Sequence, residues 1–285
     1  MTFTCLCCFE FPPVVLNLFV TGVVVFFSCS KFLSPRVRSK FVRRSLFALS
    51  CSLSLSLLVL SLTLLILSNN PSLRSRSFAS LCGILSKPSP LDEFRCRALQ
   101  GVEGKVLELG PGPGTNFRCV AGQSGGAIRA WTGLDVNLHF APAFALEASR
   151  RNLSFPVDAL WFGAAEPLPA ALVGAFDSLV ATHVLCSVES HRVALANVAA
   201  ALKVGGKYHF MEHVAAREGT PLRAVQSLLQ SLVTIVADGC SFKNIREEVE
   251  GALGEDFDIA FEEFDAPMPI PPFRPHVMGV ATKLR

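Results

Sequence analysis

The sequence predicts an α/β fold in which a doubly wound sheet ends in an antiparallel strand and hydrophobic helices precede the sheet. From residue 105 onward, short apolar segments of the kind that form buried strands alternate with segments of helical periodicity. Such alternation is typical of a parallel sheet with helices on both faces. The last two strand-like segments have no helix predicted between them, so we expect the final strand to run antiparallel.

Six segments are predicted to form strands. Val106–Leu109 is short and apolar, as buried strands are. Near the C-terminus, Phe257, Ile259 and Phe261 occupy alternate positions, which indicates a half-buried strand. The predicted strands are 106–109, 130–134, 176–181, 207–214, 257–264 and 277–282.

Three helices are predicted between these strands. Pro142–Arg151 has its proline in the first turn, where proline is tolerated. His191–Lys203 is followed by Gly205–Gly206, and glycine readily takes the left-handed conformation that ends helices. Thr220–Val236 begins with a threonine N-cap and a proline, and it repeats apolar residues on one face.

Charge divides the chain into two unlike parts. Residues 1–91 hold nine basic residues and one acid, whereas residues 92–285 hold 17 basic and 22 acidic residues. The acidic part argues against a nucleic-acid substrate, because phosphate binding needs a basic surface. The basic part suits anionic lipid or an import machinery. With 51% hydrophobic residues, the chain is also more apolar than an ordinary soluble enzyme.

Two long apolar runs, 13–29 and 46–68, flank a basic stretch in the N-terminal part. The second run is uncharged and, at about 1.5 Å per residue, long enough to cross a bilayer as a helix. Its Ser-Leu alternation at 50–56 also has the pattern of a strand, but such a strand has no globular partner nearby. The expected boundaries are 1–68 for a membrane anchor or targeting region, 69–90 for a linker rich in Ser, Pro and Arg, and 91–285 for the folded domain.

Two interpretations of residues 1–68 stay open. They form either a membrane anchor of one or two helices or a presequence for organelle import, which also favours basic, Ser-rich, acid-poor segments. If both apolar runs span a membrane and the folded domain is cytosolic, the basic stretch lies in the lumen, against the positive-inside tendency. That conflict favours one spanning segment, a hairpin, or cleavage of the first run.

The ten cysteines do not show the pattern of a disulfide framework, and we expect reduced, buried thiols. Acylation beside a membrane segment is the alternative for Cys5, Cys7 and Cys8. Cys5 and Cys8 have the spacing of zinc ligands, but no second Cys or His pair follows to complete such a site. We therefore expect no metal centre.

A glycine-rich turn follows the first predicted strand, with glycines at Gly110, Gly112 and Gly114. Glycine lets the backbone bend sharply and lets a ligand approach closely. Glu108 stands where nicotinamide-binding strands usually have an apolar residue, and Thr115 stands where their fingerprint requires glycine. A plain tight turn and an NAD site are therefore the weaker alternatives to another nucleotide-like cofactor.

This turn and three later segments resemble, in order, the cofactor motifs of class I S-adenosylmethionine-dependent methyltransferases. Trp131–Asp135 ends in an acid at the position that binds a ribose diol. Gly163–Pro169 is similar to the adenine-binding turn, and Leu202–Gly206 is similar to a later glycine turn, with Val204 in place of the usual proline. The resemblance implies a seven-stranded Rossmann-like methyltransferase sheet and S-adenosyl-L-methionine as cofactor. The cofactor-binding residues that it implies are Glu108, Gly110, Gly112, Gly114, Asp135, Ala165, Glu166 and Thr182.

Further blocks at 182–188, 210–215, 238–240 and 274–279 resemble the thiol S-methyltransferases of the methyltransferase-like family. Members of that family have a hydrophobic N-terminal anchor, reside at the endoplasmic reticulum and lipid droplets, and methylate small thiols. The resemblance covers about 95–283. His183 departs from it, since the family has an aliphatic residue there.

The resemblance implies a membrane-associated enzyme that methylates a small lipophilic acceptor, most readily a thiol sulfur. The alternatives are a C- or O-methyltransferase of a quinone or lipid and a non-catalytic cofactor-binding membrane scaffold. We expect the endoplasmic reticulum or lipid droplet with a cytosolic catalytic domain, and a mitochondrion or plastid if the N-terminus is a presequence. Membrane lipid is an expected partner and nucleic acid is not, while the oligomeric state is left open.

Methyl transfer from a sulfonium depends on in-line placement of the acceptor, and a thiol reacts as its thiolate. Such ligands sit beyond the carboxyl ends of parallel strands. We expect His213 to act as a base or orienting group, with Glu212 or Asp238 beside it. The expected substrate-pocket residues are His183, Cys240 and His276, under a proline-rich loop at 267–275.

Overall fold

The computed structural model describes residues 40–121 and 127–285, together with positions 15, 17, 18, 20–22 and 24. The cysteines at 5, 7 and 8 and most of the apolar run 13–29 lie outside the described residues. The described helices are α1 (Lys40–Asn69), α2 (Pro71–Leu85), α3 (Leu91–Ala98), α4 (Phe117–Val120), α5 (Ala141–Arg150), α6 (His191–Ala201), α7 (Pro221–Val236) and α8 (Ile245–Leu253). The strands are β1 (Gly104–Leu109), β2 (Ile128–Leu134), β3 (Val157–Leu160), β4 (Phe176–Thr182), β5 (Leu202–His213), β6 (Phe257–Asp265) and β7 (Pro275–Lys283).

The chain divides into two compact units. One comprises the residues up to Arg74 with Ser231–Val236, and the other comprises Ser75–Gln230 with Ala237–Arg285.

The first unit contains α1, whose segment Phe47–Asn69 is long and apolar enough to cross a membrane. Most of its large side chains are exposed, with Leu49 at 67% and Leu55 at 61%, whereas Leu64 is buried. The hydroxyl of Ser61 donates to the carbonyl of Leu57 one turn earlier, at 2.7 Å. Such bonds satisfy hydroxyl groups within the helix itself, which lets a serine-rich helix enter an apolar medium. The second apolar run is therefore a helix, and the strand alternative for 50–56 is wrong.

The second unit contains a seven-stranded sheet with the order β3-β2-β1-β4-β5-β7-β6. The strands β1 to β5 are parallel, and β7 pairs antiparallel with both β5 and β6. The predicted α/β class and the antiparallel last strand are confirmed. Leu109 of β1 pairs with Leu134 of β2 and Ala181 of β4, so the residue that follows each strand emerges at one edge of the sheet.

A separate hydrophobic core covers each face of the sheet. On one face, α6 and α8 pack against a core that includes Leu107, Leu179 and Phe210. On the other face, Val106 and Trp131 join a core with α3, α4 and α5. Because successive residues of a strand point to opposite faces, the adjacent apolar residues Val106 and Leu107 of β1 serve the two cores.

Several local predictions differ from the structure. β3 is absent from the prediction because its four residues are only partly buried and carry a weak apolar pattern. α8, which lies between α7 and β6, is absent from the prediction. The expected linker 69–90 is largely the helix α2. α6 ends at Ala201 rather than Lys203, because Leu202 already pairs with Phe176 in the sheet.

A disulfide joins Cys96 of α3 to Cys119 of α4, with Cα atoms 4.8 Å apart. The expectation of reduced thiols is therefore wrong for this pair. The two cysteines are 23 residues apart in sequence and lie on different helices, so their spacing carried no signal of contact. The bridge ties α3 to the helix that follows the glycine-rich turn.

Candidate active site

A cavity of about 440 Å³ opens at the carboxyl ends of β1, β2 and β4. Its volume falls in the range of small-molecule and cofactor sites. The wall combines the glycine-rich turn with polar side chains and with aromatic side chains. The lining residues include Phe78, Arg95, Gly110, Gly112, Asp135, Phe140, Thr182, His183, Val184, Ser187, Asp238 and Met268.

Two glycines of the turn are required for different reasons. Gly110 has a φ of +57°, and a Cβ there would lie 2.3 Å from the side chain of Val184, so the position must stay bare for the turn to close. Gly112 has a φ of +53°, and a Cβ there would come no nearer than 3.9 Å to Phe140. Gly112 therefore presents bare backbone to the cavity, where a ligand can approach. Gly114, the third predicted glycine, lies behind the wall against Phe117.

Asp135 follows β2 and is 7% exposed. One carboxylate oxygen accepts the N–H of Gly112 at 3.0 Å, and the other accepts the N–H of Asn137 at 2.8 Å. Burial raises the pKa of Asp135, and these two hydrogen bonds oppose the shift. Each oxygen keeps a second lone pair, so the carboxylate is held at the cavity wall with room for two hydroxyl donors.

Glu108 lies inside β1 and is almost fully buried. Its oxygens accept the side-chain N–H groups of Asn116 at 2.6 Å and Trp131 at 2.7 Å. Burial raises the pKa of Glu108 to about 7, against the lowering effect of both bonds. Glu108 supports the turn from below and does not line the cavity, so a direct contact with a cofactor stays a prediction.

Arg95 of α3 was not among the predicted site residues. Its guanidinium donates to Asn116 at 3.0 Å and to the hydroxyl of Thr182 at 2.8 Å, and it lies 3.4 Å from Nδ1 of His183. The side chain is buried yet lines the cavity, and burial lowers its pKa. Sequence reasoning missed Arg95 because α3 precedes the first recognisable motif and has no pattern of its own.

Three histidines meet beside the cavity. His183 has a φ of +58°, an uncommon conformation for a residue other than glycine, and it lines the cavity. Nε2 of His183 lies 2.9 Å from Nε2 of His276. The ring of His213 lies 6.2 Å from that of His183, centroid to centroid, and its Nε2 lies 2.9 Å from Sγ of Cys240. The structure thus brings His183, His276, His213 and Cys240 together, but among these four only His183 lines the cavity, and the roles of all four stay predictions.

The pKa values of these rings differ. Burial, followed by the charge of Arg95, holds the pKa of His183 well below its ordinary value. Burial also lowers the pKa of His276 to about 4. For His213, burial lowers the pKa, but the charge and hydrogen bond of Cys186 and the charge of Glu212 outweigh it and raise the pKa.

The predicted acids lie in different settings. Glu212 is fully buried, and one oxygen accepts the N–H groups of Val184 at 2.9 Å and Leu185 at 3.0 Å. Burial raises its pKa. Glu212 thus holds the loop after β4 in place. Asp238 lines the cavity with a φ of +47°.

The predicted adenine turn is fixed by hydrogen bonds of its own. Glu166 accepts the N–H of Gly163 at 2.7 Å, and the amide of Asn197 donates to the carbonyls of Ala164 and Glu166. The lining residues of the described cavity include neither Ala165 nor Glu166. Their contact with a cofactor stays a prediction.

The segment 107–210 matches the family model described as a methyltransferase domain. Human thiol S-methyltransferase TMT1B is 32% identical over 190 residues, which cover 66% of this chain and 75% of that protein. Human thiol S-methyltransferase TMT1A is 31% identical over 198 residues, which cover 68% of this chain and 76% of that protein.

Solved structures share the fold at low sequence identity. N-methyltransferase NodS from Bradyrhizobium japonicum, in complex with S-adenosyl-L-homocysteine, is 16% identical with a TM-score of 0.50, covering 70% of this chain and 90% of that chain. The cyclase SpnF is 19% identical with a TM-score of 0.52, covering 68% of this chain and 80% of that chain. These two likenesses concern the fold alone, and a cyclase and an N-methyltransferase that share it show that the fold serves more than one reaction.

Proposed function

Because this chain belongs to the thiol S-methyltransferase family of S-adenosylmethionine-dependent methyltransferases, we propose that it methylates the sulfur of a small, lipophilic thiol. The observation that carries the proposal is the likeness to two human thiol S-methyltransferases over about three quarters of their length. The apolar side of the cavity supports a lipophilic acceptor. There Phe78 packs edge-on against Phe140 at 6.0 Å, and Met268 adds a flexible apolar side chain.

The cavity residues fit S-adenosyl-L-methionine, which supplies an electrophilic methyl group on a sulfonium sulfur. Asp135 has the free lone pairs to accept a ribose diol, and Gly112 offers bare backbone. Arg95 is a buried cation at the end of the glycine-rich turn, so we assign it to the carboxylate of the methionine part. Thr182 helps to orient that guanidinium. Glu108, Ala165 and Glu166 remain our proposals for the amino group and the adenine ring.

What the protein adds to methyl transfer is placement and exclusion of water, because the sulfonium is already a good leaving group. The thiol must lose its proton before or during attack. The low pKa values of His183 and His276 make both rings poor proton acceptors, although His183 lines the cavity. His213, beside Glu212 and with Asp238 nearby in the wall, remains the proposed base. We expect His213→Ala to lower turnover more than it weakens donor binding. Measuring both quantities on this variant tests the role.

An acceptor panel tests the proposed function. The purified full-length protein in detergent is incubated with labelled S-adenosyl-L-methionine and matched pairs such as benzyl mercaptan and benzyl alcohol, alongside phenols and quinones. We expect label in the thioether and in none of the oxygen analogues. Methylation of phenols or quinones while thiols stay inert would overturn the thiol assignment and favour the C- or O-methyltransferase alternative.

We also propose that α1 anchors the enzyme in the endoplasmic reticulum or lipid droplet membrane, with the catalytic unit facing the cytosol, where the methyl donor is made. The exposed apolar surface of Phe47–Asn69 supports the anchor. One observation opposes the cytosolic side, because the Cys96–Cys119 disulfide is of a kind that is rare in reducing compartments. Protease protection of the catalytic unit in intact membranes tests whether that unit faces the cytosol or the lumen.

A further inference from the structure

Two thiols and one imidazole meet just behind the cavity wall. One ligand atom from each of Cys186, His213 and Cys240 lies within 4.8 Å of the other two, and all three side chains are buried. Thiolate sulfur and imidazole nitrogen are the ligands that zinc prefers in proteins. No fourth Cys, His, Asp or Glu joins the group among the residues that the structure describes.

The three residues come from separate elements that converge at the carboxyl edge of the sheet. Cys186 lies in the turn after β4, His213 is the last residue of β5, and Cys240 lies in the loop after α7. The two loops are tied together, because Ser241 donates to the carbonyl of Cys186 at 3.0 Å through both its backbone N–H and its hydroxyl. The backbone positions of the thiols are therefore fixed before any ligand binds.

The spacing of the cluster is close to that of a metal centre. Zinc–sulfur bonds of about 2.3 Å and zinc–nitrogen bonds of about 2.0 Å at a tetrahedral angle put the ligand atoms about 3.6–3.8 Å apart. The cluster spans distances from 2.9 Å, between His213 and Cys240, to at most 4.8 Å. Side-chain rotations that move each atom by about 1 Å or less would bring the three to tetrahedral spacing around one ion.

The surroundings are dry, and one polar atom is left unsatisfied. The rings of Phe242 and Phe273 pack against His213 at centroid distances of 5.6 and 5.8 Å. Nδ1 of His213 is buried and has no hydrogen-bond partner within the described part of the chain. Nε2 is the ring atom that faces Cys240, so an ion bound at the cluster would leave Nδ1 without a partner.

The cluster borders the cavity rather than lying deep in the core. The hydroxyl of Ser187, a lining residue, lies 3.6 Å from Sγ of Cys186. Asp238, also in the wall, precedes Cys240 by two residues. A group bound at the cluster therefore lies next to the space in which an acceptor would sit.

We propose that Cys186, His213 and Cys240 bind a divalent metal ion of the zinc class, and that the open fourth position takes the sulfur of the acceptor. The acceptor half of this inference rests on the proposed thiol methylation, whereas the metal site does not. Three protein ligands with one open position are the pattern of a catalytic zinc centre, whereas structural centres use four. His213 then acts as a metal ligand instead of a base.

The reaction balances in charge and atoms. The acceptor thiol loses its proton to solvent as its sulfur binds the ion, because a coordinated thiol is deprotonated outright. A lone pair of that sulfur then forms the new bond to the methyl carbon, while the bond from that carbon to the donor sulfonium breaks and leaves its electron pair on the donor sulfur. A divalent ion with two cysteine thiolates is neutral, so the bound acceptor makes the centre negative and attracts the positive sulfonium. The thioether product is neutral, a weaker ligand, and can leave.

Metal content tests the first half of the inference. The full-length protein is purified in detergent without oxygen, given zinc and dialysed. We expect about one zinc per chain, and less than about 0.1 in Cys186→Ser and Cys240→Ser. Cys51→Ser, which changes a thiol in α1 outside the cluster, keeps one zinc. Affinity for S-adenosyl-L-homocysteine within about twofold of wild type shows that the cluster variants are folded. A wild-type protein without zinc, or a Cys186–Cys240 disulfide found by peptide mapping, overturns the metal site.

Cobalt substitution tests the second half. Benzyl mercaptan should strengthen the sulfur-to-cobalt absorption of the Co²⁺ protein, and benzyl alcohol should leave it unchanged. If benzyl mercaptan leaves the sulfur-to-cobalt absorption unchanged, the proposed role of the ion in binding the acceptor is overturned. Since about 3% of a thiol with a pKa of about 8.5 is ionised at pH 7, removal of the ion should lower thiol methylation about 30-fold at that pH and less at pH 8.5. If metal binds while only oxygen acceptors are methylated, the proposed function fails and the metal site stands.

Discussion

At the scale of single residues, the cavity is organised by Asp135, which connects the end of β2 to the glycine-rich turn through the N–H of Gly112. The same carboxylate presents its remaining lone pairs to the cavity. One side chain thus sets the position of the turn and offers the acceptor atoms that a ribose diol requires. Loss of the carboxylate should therefore affect binding of the donor more than stability.

We expect Asp135→Ala to weaken binding of S-adenosyl-L-homocysteine by about one to two orders of magnitude, from about 1.5–3 kcal/mol for hydrogen bonds to a charged group. The affinity of Asp135→Asn, which keeps one acceptor oxygen, should lie between those of the wild type and Asp135→Ala. Calorimetry on the full-length variants measures the affinity. Unchanged affinity in a folded Asp135→Ala protein would remove Asp135 from the donor site.

Glu108 makes the stability of the fold depend on pH. Its pKa is raised from 4.5 to about 7 by burial, so between these values the folded state binds more protons than the unfolded state. The free energy of unfolding should then fall as pH rises from about 4.5 to 7, by about 3 kcal/mol in total.

Glu108→Gln should flatten the pH profile in that window. Unfolding followed by tryptophan fluorescence, to which Trp131 beside Glu108 contributes, measures the difference between the two proteins. Equal slopes for wild type and variant between pH 5 and 7 would show that Glu108 does not titrate there.

At the scale of elements, the glycine-rich turn connects β1 to α4 and forms the floor of the cavity. Gly112 in this turn has a positive φ and also lines the cavity. A second glycine allows the effects of these two properties to be measured separately. Gly101 also has a positive φ, +80°, but nothing lies within 4 Å of a Cβ placed there and it does not line the cavity. Gly101 is therefore a matched control for backbone strain.

Gly112→Val and Gly101→Val should each lower stability by about 1–3 kcal/mol, because both force a branched residue into the left-handed region. Only Gly112→Val should lose donor binding, since its side chain occupies the cavity. Thermal melting and calorimetry on the two variants separate the effects. Equal loss of binding in both would mean that strain alone disturbs the site.

The disulfide between α3 and α4 should stabilise the unit that carries Arg95. For a loop of 23 residues, the chain-entropy estimate is about 3 kcal/mol, and a domain of this size loses about 2–4 °C per kcal/mol. Replacing Cys96 and Cys119 together by serine should lower the melting temperature by about 6–12 °C. Reductant should lower it similarly in wild type and leave the double variant unchanged. If reductant lowers the melting temperature of the double variant as much as that of the wild type, loss of the disulfide is not the cause of the destabilisation.

For the whole molecule, the α/β class and most strands could be predicted, because buried parallel strands are short apolar runs with turn residues between them. Asp135 could be placed at the cavity for the same reason, since it ends such a strand. Arg95 could not, because a cation on a short helix has no periodic pattern. The metal ligands could not either: Cys186, His213 and Cys240 meet only through the sheet, and 27 residues separate the last two.

The anchor is tested on the whole chain. We expect the full-length protein to stay in the membrane pellet after carbonate extraction, because most of the large apolar side chains described in Phe47–Asn69 are exposed. Leu55→Asp with Leu62→Asp should release it, since an acid at the centre of a spanning helix costs about 2.5–3.5 kcal/mol. Release of the intact wild-type chain would count against an anchor, and a shortened chain inside mitochondria or plastids would identify a presequence.

The last strand of the chain lies inside the sheet, between β5 and β6. During synthesis, α1 leaves the ribosome roughly 200 residues before β7, an interval of about 10–40 s at about 5–20 residues per second. Until β7 is made, the sheet lacks the strand that joins β5 to β6, whereas the apolar helix has long been available to the membrane insertion machinery. With α1 as the anchor that we propose, membrane targeting precedes closure of the sheet, and the enzyme acquires its active form at the surface of the membrane to which it has already been delivered.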